Sequence, residues 1–93
     1  MTDEQIKKCI QIWWHYGPEN QIKKTKEELT ELLIEVEHMI KGEHDITNLI
    51  DEIADVSIMV KQISYVIGEQ AIKDRIDFKL DRELNRIRDN REA

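Results

Sequence analysis

A chain of 93 residues with a net charge of −6 and 37% charged side chains bounds one small domain, residues 1–93, with room for only a modest core. The acidity argues against a general coat for duplex nucleic acid, which needs clustered cations, but it leaves room for a small anionic substrate held through a metal. The lone Cys9 has no internal disulfide partner and fits a reducing, cytoplasmic setting; as a half-buried helix residue it is no strong nucleophile candidate. The opening Met1-Thr2-Asp3-Glu4 has no signal-peptide character, and no apolar run approaches the roughly 20 residues of a membrane span.

The first predicted helix begins at an N-cap, Thr2 or Asp3, and ends in Tyr16-Gly17-Pro18-Glu19-Asn20. Trp13 shares its stripe with Ile6 and Ile10, which assigns it to core or subunit interface. Trp14, turned by about 100°, is free to stack on a base. Gln21 and Asn20 can hydrogen-bond a base edge or sugar, or serve as caps. The second helix runs to Gly42, which reads as its C-terminal glycine. Its apolar stripe is Leu29, Leu32, Leu33, Val36 and Ile40, flanked by Glu28, Glu31 and Glu35. Asp45 or Thr47 caps the third helix, whose stripe is Leu49, Ile53, Val56, Val60, Ile63 and Ile67, flanked by Glu52 and Asp55. Gly68 closes it, and a fourth helix is expected from about Glu69 to Arg88. With no strand or hairpin pattern, the expectation is an all-α, four-helix antiparallel bundle with short connections, its core completed by oligomerisation.

The two central helices repeat one acidic pattern. Lys26-Glu27-Glu28-Leu29-Thr30-Glu31-Leu32 is echoed by Ile50-Asp51-Glu52-Ile53-Ala54-Asp55-Val56. Carboxylates three apart share a helix face, and both pairs are expected to border the buried seam at matching offsets. Packed together they form a four-carboxylate cluster that repels itself unless a hard cation neutralises it. The competing reading is two solvated acidic faces. On the fourth helix Arg75, Lys79, Arg82 and Arg86 fall within about 60° of one another, beside an apolar stripe of Ile72, Ile76, Leu80, Leu84 and Ile87. Lys79 and Arg82 are assigned to a polyphosphate tail, and Arg75 and Arg86 to structural contacts. Lys24, one turn before Glu28, reaches either a phosphate or Glu28 itself.

Glu27-Glu28-x-x-Glu31 followed by Glu52-x-x-Asp55 resembles the EExxE…ExxD signature of the MazG-like all-α nucleoside triphosphate pyrophosphohydrolases. Tyr16-Gly17-x-x-x-Gln21 and Lys79-x-x-Arg82 are similar to flanking patterns of that family, so the likeness covers roughly residues 13 to 86. The resemblance implies that Glu28, Glu31, Glu52 and Asp55 bind Mg2+, with Mn2+ as a substitute, and that Glu27 is an auxiliary acid. It implies cleavage of a canonical or non-standard nucleoside triphosphate to monophosphate and pyrophosphate by metal-activated water. It further implies a homodimer or homotetramer, and a base held beside aromatics, here Trp14 with Gln21. Lys24, Lys79 and Arg82 complete the expected nucleotide contacts. No duplex nucleic acid or membrane enters this expectation.

Two other classes stand beside it. One is a non-catalytic helical interaction module that uses the same stripes for protein contacts. The other, from Glu35-x-x-His38, is a carboxylate-bridged di-metal redox protein, for which the all-oxygen Glu52-x-x-Asp55 is poorly suited.

Overall fold

The structure, a computed structural model, describes the backbone of residues 1–92 and the side-chain environments of residues 1–90. The chain is all-α among those residues: α1 (Asp3–Tyr16), α2 (Pro18–Lys41), α3 (Ile46–Ile67) and α4 (Glu69–Glu92). The helix ends follow local chemistry. Thr2 opens α1 with a reciprocal capping box: its hydroxyl accepts from the Gln5 N–H at 3.1 Å, while Gln5 Oε1 accepts from the Thr2 N–H at 2.8 Å. Asp45 caps α3 by accepting from the Thr47 N–H at 2.8 Å. Gly42 ends α2 with φ of 74°, a left-handed cap in which a Cβ is disfavoured. Its N–H and that of Glu43 bond back to Met39 and His38 carbonyls. The fourth helix extends a turn beyond the expected Arg88.

Contact between α2 and α3 is the most extensive in the molecule, α1 lies against both, and α4 packs sparsely and on α3 alone. Trp13 and Cys9 of α1 and Met59 of α3 form the small buried apolar centre. Gln62, 1% exposed, ties the layers together: its Nε2 donates to the Cys9 carbonyl at 3.2 Å. The buried Cys9 thiol has its pKa raised by desolvation, which keeps it protonated and unreactive. No helix among the described residues is long and apolar enough to cross a membrane.

The seam between α2 and α3 departs from expectation. The α2 residues buried in the fold are Gln21, Thr25 and Glu28, with Leu32 and Glu35 half-buried. Leu29, Leu33, Val36 and Ile40 are exposed, Ile40 to 81%. On α3, Ile53, Val60 and Ile67 are likewise exposed, while Glu52, Val56 and Ile63 are half-buried. Each helix is thus rotated by about a quarter turn from the expected phase, so that the carboxylates occupy the seam and the apolar stripes look outward. On an antiparallel pair, equal rotations leave both stripes on the same side. The physical reason is that α4 does not return across this face: Ile76, Leu80, Leu84 and Ile87 are all exposed, Leu84 to 64%. The expected four-helix bundle is therefore not closed within one chain.

The surface records this. The accessible area is 7446 Å², against about 5,600 Å² for a compact monomer of this mass. The radius of gyration is 16.6 Å, where a compact chain of this length has about 12 Å.

Trp13 is the largest apolar side chain in the buried centre. Trp13→Ala is expected to destabilise the fold by about 3–5 kcal/mol, read from urea unfolding. A loss below about 1 kcal/mol would show that this centre does not hold α1 to α3.

Candidate functional site

The acidic repeat meets across the α2–α3 seam. Glu31 lies within side-chain hydrogen-bonding range of Glu52, and Glu28 within that of Asp55. One turn back on α2 matches one turn forward on α3, which is the register of an antiparallel pair. Ligand oxygens of Glu28, Glu31 and Glu52 lie within 4.8 Å of one another. Glu28 is only 5% exposed, Glu52 is half-buried, and Glu31 and Asp55 sit at the solvent edge. The structure thus brings Glu28, Glu31 and Glu52 into one ion-sized group, with Asp55 beside Glu28 but outside that group. Glu27 is exposed and outside the ion-sized group, in a surface groove that it shares with Lys23, Lys26, Thr30 and the cluster's own Glu31.

One cation serves this cluster from within. Lys24 Nζ lies 3.1 Å from Glu28 Oε1, the intrahelical pair that its spacing allows, and its pKa is raised chiefly by the hydrogen bond to Glu28. Two oxygens in the seam, Glu28 Oε2 and Glu52 Oε2, are shielded from water and have no hydrogen-bond partner. The titration of the cluster shows the resulting stress. Burial pushes Glu52 above the usual carboxylate range, followed by the charge of Glu31 and its hydrogen bond, then by Glu28 and Asp55. Asp55 is raised first by burial, then by Glu28 and Asp51, with Lys24 pulling the other way. Desolvation and like charges both disfavour ionisation, so the seam is relieved either by protons or by a cation. An all-oxygen donor set with two orphaned buried oxygens fits a hard divalent ion such as Mg2+, and Mn2+ accepts the same donors.

Next to the cluster lies a cavity of about 400 Å³ lined by Ile12, Tyr16, Asn20, Gln21, Lys24 and Met59, within the usual range for small-molecule sites. Lys24 joins it to the carboxylates. Gln21 is buried, and its Oε1 has no partner. Asn20 is engaged in capping, its Nδ2 donating to the Tyr16 carbonyl at 2.8 Å. Trp14 does not line this cavity. It is 66% exposed and borders a separate pocket of about 220 Å³ with Trp13, Gln62 and Tyr65. The aromatic beside Gln21 and Lys24 is Tyr16, which the sequence placed with Gln21 in the Tyr16-Gly17-x-x-x-Gln21 motif without giving it the stacking role. Its spacing of four from Ile12, and that of Met59 from Asp55, place them on matching faces, and this was the signal available. Glu35 and His38 contact each other within α2 at 3.6 Å, and the ion-sized oxygen group does not include them.

Lys79 and Arg82 lie on α4, which touches neither α2 nor α1, so the structure does not bring them to the carboxylates of their own chain. Arg75 sits over the Phe78 ring at 4.6 Å, and Arg86 pairs with Glu83.

The raised values carry a sign. A carboxyl whose folded pKa exceeds its unfolded one stabilises the fold below the ordinary value and loses that contribution as pH rises through the folded value. The metal-free protein is therefore expected to lose melting temperature as pH climbs from the ordinary carboxylate range toward neutrality. Glu69, lowered by its hydrogen bond to Lys61, acts oppositely and only on the acid side of that window. Glu52→Gln should raise the melting temperature at pH 7 by a few degrees and flatten the slope. A lower melting temperature with the slope unchanged would show that the seam is not under electrostatic stress.

No protein-family model, curated protein or solved structure matches this chain.

Proposed function

We propose that the chain is a Mg2+-dependent nucleoside triphosphate pyrophosphohydrolase of the MazG-like all-α type, working as a homo-oligomer. The observation that carries this reading is the convergence of Glu28, Glu31 and Glu52 in one ion-sized group, with Asp55 beside Glu28, two buried oxygens unpartnered and a single lysine in attendance. The motif resemblance supports it as well, because three of its acidic positions, Glu28, Glu31 and Glu52, are the ones that converge.

In this reading Glu28, Glu31, Glu52 and Asp55 would hold the ion. Magnesium bound there would neutralise charge on phosphate oxygens and acidify a coordinated water. The other residues bind and orient. Lys24, bonded to Glu28 in the free chain, is placed to exchange that partner for a phosphate oxygen. The adjoining cavity takes the nucleoside: the orphaned Gln21 Oε1 accepts from a base or sugar donor, and Tyr16, Ile12 and Met59 supply its apolar walls. Tyr16 takes the stacking role expected of Trp14. No serine, histidine or cysteine nucleophile is needed, consistent with the buried, protonated Cys9.

The same reading accounts for the inverted packing. The exposed members of the α2 and α3 stripes, Leu29, Leu33, Val36 and Ile40 with Ile53, Val60 and Ile67, share one side. Two copies meeting there would bury them and make a four-helix bundle from two helix pairs, leaving each carboxylate seam off the bundle axis. The excess of about 1,800 Å² of surface per chain is what an obligate interface covers.

Incubation with a panel of nucleoside triphosphates and Mg2+ is expected to release pyrophosphate. Glu52→Gln and Asp55→Asn should each lower the rate by more than about 100-fold, beyond the loss typical of outer-sphere changes, with helical circular dichroism retained. Mg2+ plus a non-hydrolysable nucleotide should raise the melting temperature of the native protein. No pyrophosphate from any nucleotide, together with no thermal stabilisation, would refute the enzyme and favour an interaction module.

A further inference from the structure

The cavity beside the carboxylates is lined by Ile12, Tyr16, Asn20, Gln21, Lys24 and Met59, and its amide groups have a definite polarity. Gln21 is 6% exposed. The shielded end of its amide is the carbonyl, since Oε1 is closed off from water and has no hydrogen-bond partner. Asn20 is exposed at the rim, and chemistry fixes which way its amide points. It meets the Tyr16 carbonyl at 2.8 Å, a group that only accepts. The NH2 end is therefore committed there, and Oδ1 is the end left for a ligand. The cavity thus offers amide carbonyls, one buried and one at the rim.

Among the described residues no donor serves Gln21 Oε1. The register that sets Glu28 against Asp55 and Glu31 against Glu52 sets Gln21 against Gln62, two turns on. Gln62 Nε2 is committed to the Cys9 carbonyl, and Gln62 Oε1 is itself unpartnered. The shielded donors that lack an acceptor among these residues are Trp13 Nε1 and Arg82 Nε. Trp13 borders Gln62 in the other pocket, and Arg82 lies on α4, which does not touch α2. Lys24 Nζ is held by Glu28. A buried carbonyl without a donor bears the full cost of its lost hydration, and a ligand that brings a donor there recovers it.

Position along α2 decides which part of a nucleotide does so. Lys24 stands one turn before Glu28, and Gln21 stands two turns before it, about 10 Å away. With phosphate held at the carboxylates and Lys24, the sugar comes next and the base edge reaches Gln21 and Asn20. Paired acceptors select for donors. An exocyclic amino group offers two N–H bonds, one for each carbonyl. Where cytosine and adenine carry that amine, uracil and hypoxanthine carry an oxygen. The oxygen would face Gln21 Oε1 with both groups desolvated and neither bonded. The ring N–H of these oxo bases is one donor beside that oxygen and cannot serve both carbonyls.

We infer that the cavity reads an exocyclic amine, which makes the substrates amino-bearing nucleotides of the cytosine or adenine type and excludes their oxo counterparts. The reaction rests on the pyrophosphohydrolase reading; the choice of base rests on Gln21 and Asn20.

The first test compares kcat/KM, with Mg2+, between CTP and UTP and between ATP and inosine triphosphate. The amino member of each pair is expected to lead by about tenfold or more. Gln21→Met, similar in shape but without the carbonyl, should bring each pair to near parity. A wild-type ratio near one, a lead for the oxo member, or a ratio unchanged in Gln21→Met overturns the inference and leaves the enzyme standing. A preference that follows ribose against deoxyribose, and not the base, assigns the carbonyls to the sugar and also overturns it. The second test needs neither metal nor turnover. 15N-labelled protein is titrated with the nucleosides alone. Cytidine and adenosine should shift the side-chain amide signals of Gln21 and Asn20, identified by their loss in Gln21→Met and Asn20→Ala, while uridine and inosine should not. Equal shifts from both members of a pair, or none from any nucleoside, overturn the inference. Selective shifts without turnover of any triphosphate sink the enzyme and leave the amine-reading cavity standing.

Discussion

The mutual repulsion of carboxylates held in the α2–α3 seam is the constraint around which this structure is organised. Glu31 meets Glu52, Glu28 meets Asp55, and Glu28, Glu31 and Glu52 place oxygens within 4.8 Å. In water such charges would separate. Here the longest helix contact in the molecule holds them together. Burial and like charge both raise Glu52 and Asp55, so the fold stores an electrostatic demand that protons or a divalent ion can meet. A merely solvated acidic face would show neither the orphaned buried oxygens nor the raised values. The electrostatic cost of the fold thus resides in these side chains.

That choice has a consequence for packing. By turning Gln21, Thr25 and Glu28 inward, α2 gives its buried face to polar groups and leaves Leu29, Leu33 and Ile40 in solvent. α3 does the same with Ile53 and Val60. The interior of one chain is small: Cys9, Trp13 and Met59, with Gln62 bridging α1 and α3. Most of the apolar surface that would stabilise a chain of this size lies outside it. The extended α4, with exposed apolar and basic stripes side by side, belongs to the same logic. Among the described residues it packs on α3 alone, away from the carboxylate-bearing face of α2.

The helix ends and the acidic repeat were legible in the sequence because they are local. Thr2 and Asp45 are caps, Gly42 is a left-handed stop, and ExxE with ExxD sets each pair on one helix face. Short connections implied antiparallel neighbours, and for α2 and α3 the paired carboxylates show that register. The phase of the seam was not legible. Periodicity reveals that a stripe exists, but not which neighbour covers it. Burying the leucine stripe of α2 was the natural expectation from periodicity, and the structure instead leaves Leu29, Leu33 and Ile40 exposed. The assignment of Trp14 to the Gln21 cavity failed for a related reason: two adjacent tryptophans differ by about 100°, and only the docking of α1 decides which side each one faces. Tyr16, named with Gln21 in one short motif, lines the same cavity as Gln21, and only the tertiary structure shows it there in place of Trp14.

By itself the sequence determined four helices, their boundaries, the two carboxylate pairs and the two stripes of α4, since each depends on residues within one or two turns of one another. Only tertiary structure decided that the carboxylates line the seam while the leucines face out, that Tyr16 and Gln21 share a cavity with Lys24, and that α4 leaves its cations out of reach of their own acidic cluster. Those outcomes depend on the rotation of one helix against another. That rotation is set by the sum of many weak contacts and by what lies on the far side, which no local pattern encodes.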